Sequence, residues 1–173
     1  DLIKLYVRPL QAAYALFPPE DRPKYSSDGK VFSFPNGSII EFGYCANEAD
    51  ANNYKGLEWD VIFLDEATEY SEDSYNILNS CIRGVKRYPH RLYVTCNPGG
   101  VGHTHIKRLF IDCDYKKYEN PKKYTFIQAR VWDNLPLLMA DDGFVEALTT
   151  WKRAHKGHPI AEKVIRECMY AAD

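Results

Sequence analysis

Apolar residues recur along this chain in different rhythms, and each rhythm predicts a different element. At the start, Leu2, Leu5, Tyr6, Leu10, Ala13, Tyr14 and Phe17 fall at helical spacing, which predicts a helix over "DLIKLYVRPLQAAYALF" interrupted at Pro9. No capping residue precedes it, so the chain is expected to begin inside an element. "PPEDRPKYSSDGK" is polar and reads as a loop. Two short runs, 31–34 and 38–44, then flank Pro35, Asn36 and Gly37. They predict a β-hairpin, because Asn–Gly accepts the positive φ that tight turns require.

After residue 60 the apolar positions become continuous. "DVIFL", "RLYVTCN" and "YTFIQARV" are short runs rich in β-branched and aromatic residues. Such runs suit strands covered on both faces, as in parallel sheets. Between them, "SEDSYNILNSCIRG" reads as a helix with Ser71 as cap, Glu72 and Asp73 at its positive end and Gly84 as its stop. Tyr75, Leu78, Cys81 and Ile82 form its apolar stripe. "HTHIKRLFI" predicts a short helix, and "DDGFVEALTTWKRA" and "PIAEKVIRECMYAA" predict two C-terminal ones. The alternation argues for an α/β fold with a parallel sheet and right-handed crossovers.

Composition narrows this only a little. The 173 residues, 45% of them hydrophobic, suit one compact domain with a sizeable core. No apolar run reaches the roughly 18 residues a bilayer span needs, and no signal-peptide pattern opens the chain. Five scattered cysteines without a C-x-x-C argue for a reducing cytosol. Net charge is −2, but it is unevenly spread. Residues 1–80 carry 6 Lys/Arg against 14 Asp/Glu, and residues 81–173 carry 16 against 10. A basic half can face phosphates, and it can equally be a solvated surface.

The chemistry concentrates where the buried strands end. Asp65 and Glu66 follow the apolar run 61–64 directly. In open α/β sheets, ligands bind beyond the carboxyl ends of the strands. There a first acid, Asp65, can hold hydrated Mg²⁺, and a second, Glu66, can orient or deprotonate a water attacking a γ-phosphate. The plainer reading is two acids opening a helix, with Thr68 and Ser71 able to cap that turn. A second strand, "YVTCNPGG", ends in Thr95 and Asn97, which can bond the γ-phosphate or its water. The pair of strand ends, about 30 residues apart with one helix between, is far more specific than either alone.

Together, "NNYKGLEWDVIFLDEATEYSEDSYNILNSCIRG" and "RLYVTCNPGGVGHTHIKRLFID" resemble the large terminase subunit of tailed bacteriophages, over roughly residues 31–138. The resemblance implies a P-loop NTPase-like domain of the additional-strand type, with a mostly parallel sheet and flanking helices. It implies an ATP-driven motor that packages double-stranded DNA into proheads, with ATP and Mg²⁺ as ligands. Implied partners are DNA, a small terminase subunit, the portal protein and sister large subunits, in the cytoplasm of a bacterial host and with no membrane. Asp65 matches the family's Walker B Mg²⁺ acid, Glu66 its catalytic glutamate, and Thr95, Cys96 and Asn97 its coupling motif. Lys55 stands where many relatives carry an Arg that reaches a neighbouring subunit's nucleotide. Lysine is a poorer bidentate phosphate partner than arginine.

One part of that pattern is missing. The sequence holds no G-x-x-x-x-G-K-[ST]; its only Gly–Lys pair, Gly29 and Lys30, lacks the preceding Gly and the following Ser or Thr. The expectation is therefore a fragment beginning after the P-loop strand, inactive by itself, in which 1–138 is a partial ATPase domain and 139–173 a helical segment. No clustered acids suggest the family's nuclease. Two alternatives stay open: a helicase-type NTPase fragment, and a non-catalytic interaction module. Lys107, Arg108, Lys116, Lys117, Lys122, Lys123 and Arg130 lie among Phe110, Tyr115, Tyr118 and Tyr124, a mixture that suits contact with DNA. His103 and His105 form an H-x-H without a second pair, a weak pattern for zinc.

Overall fold

The computed structural model describes residues 3–84 and 89–129, with a few isolated positions after that. It divides into two units, residues 1–45 and 46–173.

In the first unit a π-helical turn, Ile3–Val7, runs into helix α1, Arg8–Tyr14. Pro9 sits in the first turn of α1, where its missing N–H costs no hydrogen bond. The predicted hairpin forms, shorter than expected, as β2 (Val31–Ser33) and β3 (Ile39–Glu41). Phe32 lies opposite Ile40 in this antiparallel pair. Gly37 takes φ +84° in the turn, and the Asn36 side chain accepts from Ser38 N at 2.9 Å. The preceding stretch is not all loop. Lys24–Ser26 forms β1, pairing antiparallel with the open edge of β2. Tyr25 packs its ring 4.9 Å from Phe32, which is 1% exposed and also meets Tyr14 and Phe42. That aromatic cluster holds a strand too short to show any periodicity. Gly29 and Lys30 lie in the β1–β2 turn, not between a strand and a helix.

The second unit carries the parallel pairing. Helix α2 (Glu48–Asn52) is capped by Asn47, and α3 (Glu72–Ser80) by Ser71, which accepts from Ser74 N at 3.2 Å. Helix α3 ends four residues before the expected Gly84, which has φ +155° and lies beyond the turn. Strands β4 (Val61–Leu64) and β5 (Arg91–Val94) pair in parallel, Val61 beside Arg91 and Leu64 beside Val94, with α3 in the connection. Helix α4 spans His103–Phe110. Leu64, Ala67, Tyr75, Leu78, Cys81, Ile106 and Leu109 are buried. Tyr75, Leu78 and Cys81 are the predicted stripe of α3, while Ile82 is only half-buried.

Three expectations are corrected here. Strand β4 is not covered on both faces: Leu64 is buried, but Phe63 is 76% exposed and stacks on Tyr93 of β5. The run "YTFIQARV" forms no strand over 124–129, and Ile127 is 85% exposed. Apolar character makes a strand only beside a ladder partner, and residues 124–129 pair with no described strand. The sheet is also not mostly parallel: the parallel part is two strands, and the three-stranded sheet is antiparallel. The fold is mixed α/β, with a small parallel sheet and flanking helices. Both predicted C-terminal helices, and Arg130, lie outside the described residues save for isolated positions.

Candidate functional site at the ends of β4 and β5

The parallel register puts Leu64 beside Val94, so the two polar strand ends emerge side by side. The ladder continues past the strands: Thr95 N donates to Leu64 O at 2.9 Å, and Ala67 N donates to Thr95 O at 2.7 Å. Side chains then knit the ends together. The Thr95 hydroxyl donates a short hydrogen bond to Asp65 Oδ1 and accepts from Glu66 N at 3.3 Å. Asn97 Nδ2 lies 3.2 Å from Glu66 Oε1 and 3.5 Å from Oε2, donating across the carboxylate. The four polar residues singled out from sequence at the strand ends are thus one constellation.

Glu66 adopts φ +51° and ψ +53°, a left-handed conformation unusual for a non-glycine residue. Such a backbone costs on the order of 1–3 kcal/mol and persists where the surroundings hold it. Here the bonds from Glu66 N and Ala67 N to Thr95 do so. The kink ends β4 abruptly and turns the chain into a 3₁₀ turn, Ala67–Glu69. Asp65 and Glu66 are both exposed, whereas Ala67 and Thr68 are buried beneath them. Two carboxylates therefore face outward from a rigid base. Cys96 lies on the exposed side of the strand end, and partial desolvation and the nearby Glu66 push its thiol above its ordinary range.

The oxygen donors at this place fit a magnesium ion, which takes one or two carboxylates and completes its shell with water and phosphate oxygens. They do not by themselves fit the α- and β-phosphates of a nucleotide. A phosphate cradle needs successive backbone N–H groups in a glycine-rich loop opening a helix. The loop 98–102 is glycine-rich and opens α4, but its Gly102 N–H is already given to Thr68 O at 2.8 Å.

Sequence reasoning missed the partners that fix this loop. Thr68 does not cap α3; Ser71 does, and the Thr68 hydroxyl donates instead to Asn97 O at 2.9 Å. Gly100 and Gly102 press against the turn after Glu66 so closely that a Cβ on either would meet a backbone oxygen at 2.2 or 2.1 Å. The "PGG" in the sequence was a signal for a sharp turn, but nothing in it named the surface the turn would touch.

The other candidate residues lie elsewhere. Lys55 is exposed in the loop after α2, along a depression lined by Asp73, Asn76 and Ser80 of α3. Lys107 pairs with Asp112. Arg108 forms a two-pronged pair with Glu119, at 2.8 and 2.9 Å, and also donates to Asp114 O at 2.6 Å. That pairing raises the pKa of Arg108 and holds the Glu119 carboxyl down at about 2. Lys116 donates to Glu72 at 2.9 Å, which lowers the Glu72 pKa and raises that of Lys116. Lys117, Lys122 and Lys123 are exposed. His105 is buried 4.8 Å from the Tyr75 ring with its Nδ1 3.4 Å from Glu72 Oε1, and burial lowers its pKa against the pull of that carboxylate.

No helix among the described residues is long and apolar enough to cross a membrane. No curated protein and no solved structure matches the chain. The family model described as phage terminase large subunit matches residues 23–158, reaching across both units. With that match over most of its length, the chain belongs to the phage terminase large subunit family.

Proposed function

We propose that the joined ends of β4 and β5 are the acidic half of an ATP–Mg²⁺ site in a motor that packages double-stranded phage DNA. One observation carries this reading: in a chain of this family, two outward carboxylates follow one strand and are bonded by Thr95 and Asn97 of its parallel neighbour. In this reading residues 1–138 are part of a P-loop NTPase-like domain of the additional-strand type, and 139–173 form a separate segment. The α- and β-phosphates are cradled by residues other than these 173, so the chain by itself does not turn over ATP.

Asp65, oriented by the Thr95 hydroxyl, would hold a magnesium ion, which would supply positive charge beside the phosphates. Glu66 accepts a proton from the attacking water once its carboxylate is released from Asn97. Asn97 then reaches the γ-phosphate side and registers whether it is present. Lys55 offers a point charge to a sister subunit's nucleotide, and DNA runs over the exposed lysines of 116–123. The small terminase subunit and the portal complete the assembly in the host cytoplasm.

Glu66→Gln tests the assignment in a packaging-competent assembly. The carboxamide keeps the shape and loses the base, so hydrolysis should fall at least about 100-fold while ATP binding persists. Turnover within a few-fold of the unsubstituted protein would overturn the role of Glu66.

A further inference from the structure

The turn after Glu66 is fastened to the loop after β5 at both ends of that loop, and one residue makes both fastenings. Thr68 is 3% exposed. Its hydroxyl donates to Asn97 O at 2.9 Å, and its carbonyl accepts from Gly102 N at 2.8 Å. Residues 97 and 102 are the first and last of the loop. Between them Gly100 lies against the Thr68 carbonyl, where a side chain would stand 2.2 Å from the oxygen. Gly102 is the residue from which α4 starts, and its carbonyl accepts from Ile106 N at 3.0 Å. Helix α4 is in turn anchored by His105, Ile106 and Leu109, all buried.

We propose that Thr68 is a positioning residue: it pins both ends of the 97–102 loop to the turn that bears Glu66, so Glu66, Asn97 and the start of α4 shift as one body. Thr68 is buried beneath the strand ends rather than exposed at them. It acts through Asn97, whose amide meets the Glu66 carboxylate, and through Gly102, whose place sets the axis of α4. The inference rests on reading the strand ends as a nucleotide site for its purpose, though not for its geometry. Without the hydroxyl, Asn97 O loses its buried donor and the loop is held at one end only. Glu66 and α4 are then free to move separately.

The test compares Thr68→Val, which keeps the branched shape and loses the donor, with Thr68→Ser, which keeps the donor. Backbone amide exchange is read on the 173-residue chain as it stands. Thr68→Val should speed exchange at Gly102 and Ala67 by roughly tenfold, leaving Phe34 and Phe42 of the hairpin unit unchanged. Thr68→Ser should stay within about threefold of the unsubstituted chain. Equal acceleration in both variants, no acceleration in Thr68→Val, or acceleration spread evenly through the chain would each overturn the pinning. A packaging assembly supplies the second readout: Thr68→Val should lower kcat with KM for ATP unchanged, and Thr68→Ser should restore it. If kcat is unaffected while the exchange pattern holds, Thr68 is a structural pin only and the positioning role is lost. Failure of Glu66→Gln to stop hydrolysis, by contrast, removes the nucleotide reading and leaves the exchange result standing.

Discussion

The second unit holds two concentrations of charge, and they are built in opposite ways. At the ends of β4 and β5, Asp65 and Glu66 are exposed and are each met by a neutral partner, Thr95 or Asn97. Around α4, charges meet charges: Arg108 with Glu119, Lys116 with Glu72, Lys107 with Asp112. An amide or a hydroxyl bonds a carboxylate without bringing an opposite charge to it. A guanidinium gripped on two prongs by a carboxylate, with 18% of its side chain exposed, has little left for a phosphate. The first region is the cation site proposed above, and the ion pairs of the second hold the 112–119 loop against α3 and α4.

The sharpest way to break this contrast is at the glycines that bring the loop onto the turn after Glu66. Gly102→Ala puts a methyl group 2.1 Å from Tyr70 O, backbone that cannot swing aside. The expected cost is about 3 kcal/mol, read as a loss of thermal stability. Gly56→Ala, with φ +91° and open space around it, should cost only about 1 kcal/mol. Equal losses would mean that the close packing of the loop is not what matters.

The charge network is probed next. Glu119→Gln should cost about 2 kcal/mol, because Arg108 loses a two-pronged charged partner in a poorly exposed place. The Glu119 carboxyl is depressed to about 2 when folded, so its contribution is complete above its ordinary pKa near 4.5 and is lost as pH falls toward 2. Acid titration of Glu119→Gln should therefore lack part of the stability loss seen in that window. A smaller effect comes from His105, whose folded pKa lies below 6.5 because burial disfavours the charged ring. Glu72 and Glu119 oppose that shift, while Arg108 and Lys116 add to it. Its neutral form is favoured by folding, so stability should decline as pH drops below about 6.5. His105→Phe should flatten that slope while keeping an aromatic ring beside Tyr75.

The smallest expected effect concerns DNA. If the exposed lysines meet phosphates and Arg108 does not, Lys117→Ala should lower the salt dependence of DNA binding by about one unit of slope. Arg108→Gln should leave that slope alone. A fall of about one unit in Arg108→Gln would show that its pairing with Glu119 opens on DNA.

The site was legible because its residue types sit at strand ends, and strand ends are set by a local switch from apolar to polar. The runs 61–64 and 91–94 carry that switch, and their pairing follows from the helix between them. Its rigidity was not legible. The left-handed Glu66, the hydroxyl of Thr68 bonded across to Asn97, and the contact of Gly100 and Gly102 all depend on where a remote segment lies. The same limit explains the failures. Segment 124–131 has strand composition but no ladder partner among the described residues. Lys24–Ser26 has poor composition, yet it pairs because Phe32 offers Tyr25 a surface. The pairing inside the basic cluster was not legible either: Glu72, Asp112 and Glu119 are interleaved with it or folded against it, and only the fold shows which cation each of them meets.

The central claim is that the ends of β4 and β5 receive a divalent cation bearing phosphate. Its most direct test is paramagnetic broadening of backbone amides by Mn²⁺ with ATP, measured on the 173-residue chain and on Asp65→Asn. Residues 65–67 and 95–97 should broaden first, and Asp65→Asn should abolish the effect there. Broadening that begins elsewhere, or that survives in Asp65→Asn, would contradict it.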